Sequence, residues 1–429
     1  MKVFTRIALA ICLAAPAVAF AERITAWVID GAPERPYFAQ LEKSFNQLYA
    51  AQGISVDIKP IPGYNDALQA AWMSNDLPDL VMIDGPNMAS YVWSGMLQPV
   101  DRFIGPEVRQ DFLAGVIAQG TYGPDSHIYM LSQGDSSVVL WGNKKYLDAA
   151  GIPIPTRLDQ AWDYDQLTAA MEKLAALPGV KWPLDFKLNY TGEWLTYGYY
   201  PFIRSAGGDL IDQQSWRAGG TIDGPATIAA VDKLKAWQLK GWLVPATAGD
   251  NRFFGDKTAA LSWVGNWMWD TYHEALGDDL VLIPAPRIGP RAWSPNGSWG
   301  WAVPVSTTKH KEVSLFLNHL FSPQQIKTYC ELTGYVPARR AAIALMPIYA
   351  EGGALNMLTQ QASHIALVRP VHPAYPVISS EFGKAFKNSM QGADTARALK
   401  RAADAIDRDI DDNMGYPPFN GVPLNSVAK

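Results

Sequence analysis

The sequence predicts an α/β protein of two lobes, each a mostly parallel sheet flanked by helices. Three observations predict it. Strand and helix patterns alternate from Ile24 to Ile83, which is how parallel strands are joined by crossover helices. A chain of 429 residues is more than one hydrophobic core usually supports. Two stretches, 128–140 and 298–303, read as passages between lobes, since each sets apolar runs beside Gly and Ser.

Residues 24–28 are the first strand candidate, and residues 34–51 follow with Tyr37, Phe38, Leu41, Phe45 and Leu48 at helical spacing. Ile54, Val56 and Ile58 alternate as a second strand. Leu68, Ala71 and Trp72 mark one face of a helix over 64–74, and Leu80-Val81-Met82-Ile83 form an apolar third strand. Ligands of open parallel sheets collect beyond the carboxyl ends of the strands. Here those ends fall at 29–32 and 84–87.

Further along, Gly134-Asp135-Ser136-Ser137 interrupts two apolar runs in the first passage. Asp163 and Gln166 make a capping box for a helix to about Leu177, and Asp223 with Pro225 opens one that ends at Gly241. From Ala259 an apolar strand turns at Gly265 into Trp267 and Trp269. An indole is a rigid, flat surface on which the C–H face of a sugar ring can rest. It is also good core material, and both roles are open to Trp263, Trp267 and Trp269 at this point. After the second passage, residues 311–321 begin a new amphipathic block, Ser322-Pro323 caps the next helix, 334–339 form a loop, and helices from Ser379 close the chain.

Residues 1–21 read as a cleavable secretory signal: Lys2 and Arg6, an apolar run, then Ala19-Phe20-Ala21. Cys12 lies behind Ile11, so no lipid anchor is expected, and no later segment is apolar enough to insert in a membrane. Without the signal, 34 basic residues face 41 acidic ones, a balance that disfavours nucleic acid and anionic membranes as partners. Cys330 is then the lone cysteine, which excludes an intramolecular disulfide. The acids from Asp404 to Asp412 lack the spacing of a calcium loop and read as a solvated helix face. No cofactor and no metal are expected.

Several segments, in order, resemble the extracellular solute-binding proteins of bacterial ABC importers, specifically the carbohydrate-binding family that includes maltose-binding protein. They are Asn75-Asp76-Leu77-Pro78-Asp79-Leu80-Val81, Gly142-Asn143-Lys144-Lys145-Tyr146, Ser205-Ala206-Gly207-Gly208, Phe254-Gly255-Asp256-Lys257-Thr258-Ala259-Ala260 with Gly265-Asn266-Trp267, and Thr333-Gly334-Tyr335-Val336-Pro337-Ala338. The resemblance implies a two-lobe periplasmic-binding-protein fold that closes by a hinge over a sugar, a membrane permease as partner, a periplasmic monomer, and no catalysis. It implies an N-terminal lobe of 22–134 and 301–343 and a C-terminal lobe of 135–300 and 344–429.

Carried over by position, Trp267 and Tyr197 are the implied stacking residues, and Asp84 and Asn87 the polar contacts to hydroxyls. Ser136 stands where maltose-binding protein has an acid, a departure that weakens the case for maltooligosaccharides. Tyr64, Gly300, Trp301, Tyr335 and Arg339 complete the candidates. Arg339 and Arg369 also raise the alternative of an anionic ligand, such as a sugar phosphate or sulfonate, held by a guanidinium. A secreted glycoside hydrolase is the rival class, yet Asp84 and Asp135 carry no signature of an acid and nucleophile pair. The six His show no zinc spacing, and no Gly-x-Ser-x-Gly or phosphate loop is present.

Overall fold

The computed structural model describes residues 22–31 and 34–418. The expected signal segment, 1–21, lies outside the described residues. In chain order the strands are β1 (Glu22–Ile29), β2 (Ile54–Ile61), β3 (Leu80–Asp84), β4 (Leu97–Gln98), β5 (Gly134–Asp135), β6 (Val138–Asn143), β7 (Trp182–Asp185), β8 (Ala259–Gly265), β9 (Leu280–Ile283), β10 (Ser294–Pro295), β11 (Trp299–Pro304), β12 (Val336–Pro337) and β13 (Ala366–Leu367). They make two main sheets, ordered β2-β1-β3-β11-β4 and β7-β8-β6-β9. Each is flanked by helices, which gives a two-domain α/β fold.

In the first sheet β1 runs parallel to both β2 and β3, as the alternating pattern predicts. Ile24, Ala26 and Val28 are buried, and the Arg35–Tyr49 helix packs on the neighbouring β2 and buries Tyr37, Phe38, Leu41 and Phe45. Leu48, expected on the same stripe, is 59% exposed in the last turn. The helix Tyr64–Ser74 begins and ends at the expected residues. In the second sheet all seven residues of β8 are buried, as for a strand covered on both faces.

The pairing is mixed rather than mostly parallel. β11 joins β3 and β4 antiparallel, and β6 joins β8 and β9 antiparallel. The physical reason lies in the passages. β6 and β11 each arrive from the other lobe instead of through a crossover helix on their own sheet, so nothing imposes a parallel direction on them. The first passage is visible as a ladder: Leu131 bridges Trp301 in the first sheet, β5 pairs with β12, and Ser137 bridges Asn296 before β6 enters the second sheet. Within the second expected passage, Trp299 pairs with Asp84 in the first sheet.

Local chemistry sets the helix starts. The Asp163 carboxylate accepts from the Gln166 N–H at 2.9 Å, and the Gln166 side chain returns to the Asp163 N–H at 3.0 Å, so the capping box is complete. The helix Pro225–Leu239 is capped instead by Gly224, because Asp223 is spent on the Gly220 N–H. The last two helices are Tyr375–Met390 and Thr395–Asp412, the first starting four residues before Ser379. They pack on each other and on Pro225–Leu239. Among the described residues no helix is long and apolar enough to cross a membrane.

Candidate functional site

β8 ends at Gly265, and the chain turns at once into Asn266 and Trp267. The Trp267 ring folds back over Gly265 so closely that a Cβ there would run into it. Glycine is therefore what lets the indole lie against the strand end. Asn266 between them is fully buried. Its Oδ1 accepts from the Ser137 N–H at 2.9 Å and its Nδ2 donates to the Gly334 carbonyl at 2.7 Å. Asn266 thus ties the Trp267 turn to the first passage at Ser137 and to the 334–339 loop at Gly334.

Trp267 is partly buried and meets Trp194 edge to face at 6.2 Å and Tyr197 at 6.3 Å. The three rings form one aromatic wall on the second lobe. Tyr197 is 7% exposed, and its hydroxyl shares a 2.7 Å hydrogen bond with Ser136. The single Ser136 proton goes to the Gly297 carbonyl, so Tyr197 is the donor to Ser136. Beside them Asp135 accepts from the Gly297 N–H at 2.8 Å and from Asn296 at 3.4 Å. Burial pushes the Asp135 carboxyl up to about 6, against these hydrogen bonds and the nearby Arg369 charge.

Arg369 sits at the centre, 6% exposed. Its guanidinium lies 4.9 Å from the Tyr197 ring centre, donates to Glu193 at 2.6 Å, and approaches Asp84 at 3.8 Å. Burial works against its charge, but Tyr375, Glu193 and Asp84 outweigh that, and the group stays protonated. Glu193 is further held by the Tyr375 hydroxyl and by Ser379 at 2.5 Å. Asp84, at the carboxyl end of β3, is pushed up to about 6 by burial, with Arg369 opposing and Glu193 adding to the rise. Asn87 is partly buried on the turn that follows it. The cluster therefore holds three carboxyl groups, Asp84, Asp135 and Glu193, to one guanidinium.

Tyr335 lies within reach of the Asp84 charge. It stacks on Tyr329 at 5.7 Å, and burial first, then the charge of Glu34, raises its phenol.

Four sequence-predicted residues are placed elsewhere or in support. Trp301 is 1% exposed, wedged edge-on against Phe38 and Phe316 in the core of the first lobe. Gly300 next to it is buried where a Cβ would come within 2.7 Å of Met130, so it serves packing. Arg339 is engaged structurally, by Asp111 at 2.9 Å and the Phe321 carbonyl at 2.6 Å. Tyr64 is buried, donates to the Trp27 carbonyl at 3.1 Å, and props the edge of the partly buried Trp299 at 5.6 Å.

Sequence reasoning missed Trp194, Glu193, Glu34 and Asn266. For Asn266 the signal was present, since it is the middle residue of the Gly265-Asn266-Trp267 segment. A recess of about 1020 Å³ lies away from this cluster along β9, lined by Trp269, His273, Leu280 and Met357 among others. Its indole is already stacked on His273 at 4.5 Å and its Arg157 is paired with Asp159. Among the described residues no group of His, Cys, Asp and Glu could hold a metal ion.

Residues 40–356 match the family model of bacterial extracellular solute-binding proteins. Diacetylchitobiose binding protein of Streptomyces coelicolor is 22% identical over 339 residues, 75% of this chain and 74% of that protein. The sugar-binding protein MalE of Xanthomonas citri superposes with a TM-score of 0.77 at 17% identity, covering 91% of this chain and 98% of that one. UgpB of Mycobacterium tuberculosis, solved with glycerophosphocholine, gives 0.74 at 19% identity over 91% and 99%. The chain belongs to the bacterial extracellular solute-binding proteins, a family that binds solutes and is not enzymatic.

Proposed function

We propose that this protein is the periplasmic receptor of an ABC importer, which captures a sugar or sugar derivative between its lobes and delivers it intact to a membrane permease. The observation that carries the reading is the wall of Trp267, Trp194 and Tyr197 on one lobe, joined through Arg369 to Asp84 on the other. Aromatic faces take the C–H side of a pyranose, and carboxylates take its hydroxyls. The diacetylchitobiose binder of Streptomyces coelicolor and the Xanthomonas citri protein support a sugar as the class.

In this reading the lobes comprise 22–134 with 301–343 and 135–300 with 344–429, the second passage being shifted toward 296–298 by the start of β11. The protein works as a monomer. Solute that touches both lobes shifts the population toward a closed form, which the permease reads.

A second reading, an anionic solute, is favoured by the buried Arg369 and by glycerophosphocholine in UgpB. Two carboxylates already answer that guanidinium, so we place the neutral sugar first. Calorimetry with maltotriose, N,N′-diacetylchitobiose, glucose 6-phosphate and glycerophosphocholine tests both. Binding by a neutral sugar supports the first reading; binding by the phosphates alone replaces it with the second.

A further inference from the structure

At the carboxyl end of β1 the chain turns at Gly31 and enters its first helix at Arg35, with Glu34 immediately before it. The Glu34 side chain is 6% exposed and folds back over the turn, where a Cβ on Gly31 would meet its carboxylate. Among the described residues no other side chain donates to it and no cation pairs with it. Its own main-chain N–H is the one donor that opposes the upward push of burial on its carboxyl. Its charge reaches Tyr335 and Tyr329, the stacked pair, and the charge of Asp84 reaches Tyr335 as well. The geometry agrees: Tyr37, three residues past Glu34, packs edge-on against Tyr329 at 5.0 Å, Tyr329 stacks on Tyr335 at 5.7 Å, and β1 lies parallel beside β3, which ends at Asp84.

A buried carboxylate without a counter-ion destabilises a fold, and chains retain such a group where something else satisfies it. Arg35, the nearest cation in sequence, is drawn off to Asp30. The side chain is held against the turn that follows β1, whose neighbour in the sheet is β3, at the end where an open sheet takes its ligand.

We infer that Glu34 is a specificity-determining residue: with Asp84 it flanks Tyr335 and presents acceptors to adjacent hydroxyl donors on the edge of a neutral sugar. The same pair repels phosphate and carboxylate substituents, which have acceptors where donors are required. This rests on the sugar-binding reading above and sharpens it to neutral, donor-rich solutes.

The test uses Glu34→Gln in the full mature protein, with the same four solutes. The variant keeps shape and removes charge. Affinity for the neutral sugar that the wild type binds falls at least tenfold. The melting midpoint of the unliganded protein holds or rises, because glutamine buries no charge. Glu34→Asp, which keeps the charge but withdraws it by one methylene, weakens the same sugar as well. Unaltered affinity in Glu34→Gln overturns the inference while leaving the sugar reading standing, and so does a lowered midpoint with intact affinity, which would make the carboxylate structural. A wild-type protein that binds neither neutral sugar overturns the sugar reading and this inference together.

Discussion

Arg369 and Asp84 approach to 3.8 Å across the two halves of the molecule, one from the segment after β13 and one from the end of β3. The same guanidinium holds Glu193 at 2.6 Å. Removing the cation leaves two part-buried carboxylates facing one another, and breaking a buried pair from one side costs at most about 3–5 kcal/mol. Arg369→Met is expected to lower the stability of the unliganded protein by that order in urea unfolding. A loss below about 1 kcal/mol would show that Glu193 and Asp84 do not depend on Arg369.

Asp84 gives the molecule a pH dependence of definite sign. Its carboxyl stands at about 6 in the fold, against about 3.9 unfolded. Between those values the folded state holds the extra proton, so stability is greatest below the lower one and falls as pH rises through the upper. Above pH 7 the cost from this group is on the order of 3 kcal/mol. Asp84→Asn should flatten part of the decline in unfolding free energy between pH 4.5 and 7.5, the remainder coming from Asp135 and the other carboxyls that burial raises, Glu34 among them. An unchanged slope would mean that Asp84 titrates like a solvated acid.

Trp267 and Trp301 make a matched contrast, since one is partly buried beside the aromatic wall and the other is 1% exposed in the core. Trp301→Ala should cost about 3–5 kcal/mol of stability through the cavity it leaves. Trp267→Ala should cost far less stability and weaken sugar binding by roughly tenfold or more, as expected for about 1–3 kcal/mol of lost stacking. Denaturation and calorimetry on the two variants separate the roles, and equal losses of stability would mean that Trp267 is core as well.

The two indoles also show what sequence can and cannot say. Each follows a glycine in an apolar stretch, Gly265-Asn266-Trp267 and Gly300-Trp301, and the family resemblance offers both as ligand contacts. Which face a ring occupies depends on what other elements bring, and Trp301 meets Phe316 from the helix that follows its strand and Phe38 from a helix more than 250 residues earlier. Short-range signals did better: the Asp163 box and the helix at Tyr64 are set by neighbours within a turn. Glu193 was missed because its partners, Arg369, Tyr375 and Ser379, lie nearly two hundred residues away. Glu34 was nearer to hand. It stands two residues past the stretch 29–32 that the strand-end rule had marked.

The central claim is that a sugar lies between the lobes, against Trp267 and Tyr197 and within reach of Asp84. Diffraction from crystals grown with the tightest-binding neutral sugar of the four solutes measures it directly. Density for a ring over Trp267, with hydroxyls at hydrogen-bond distance from Asp84, is the predicted result. Density only outside that cluster, for example in the recess along β9, would contradict it.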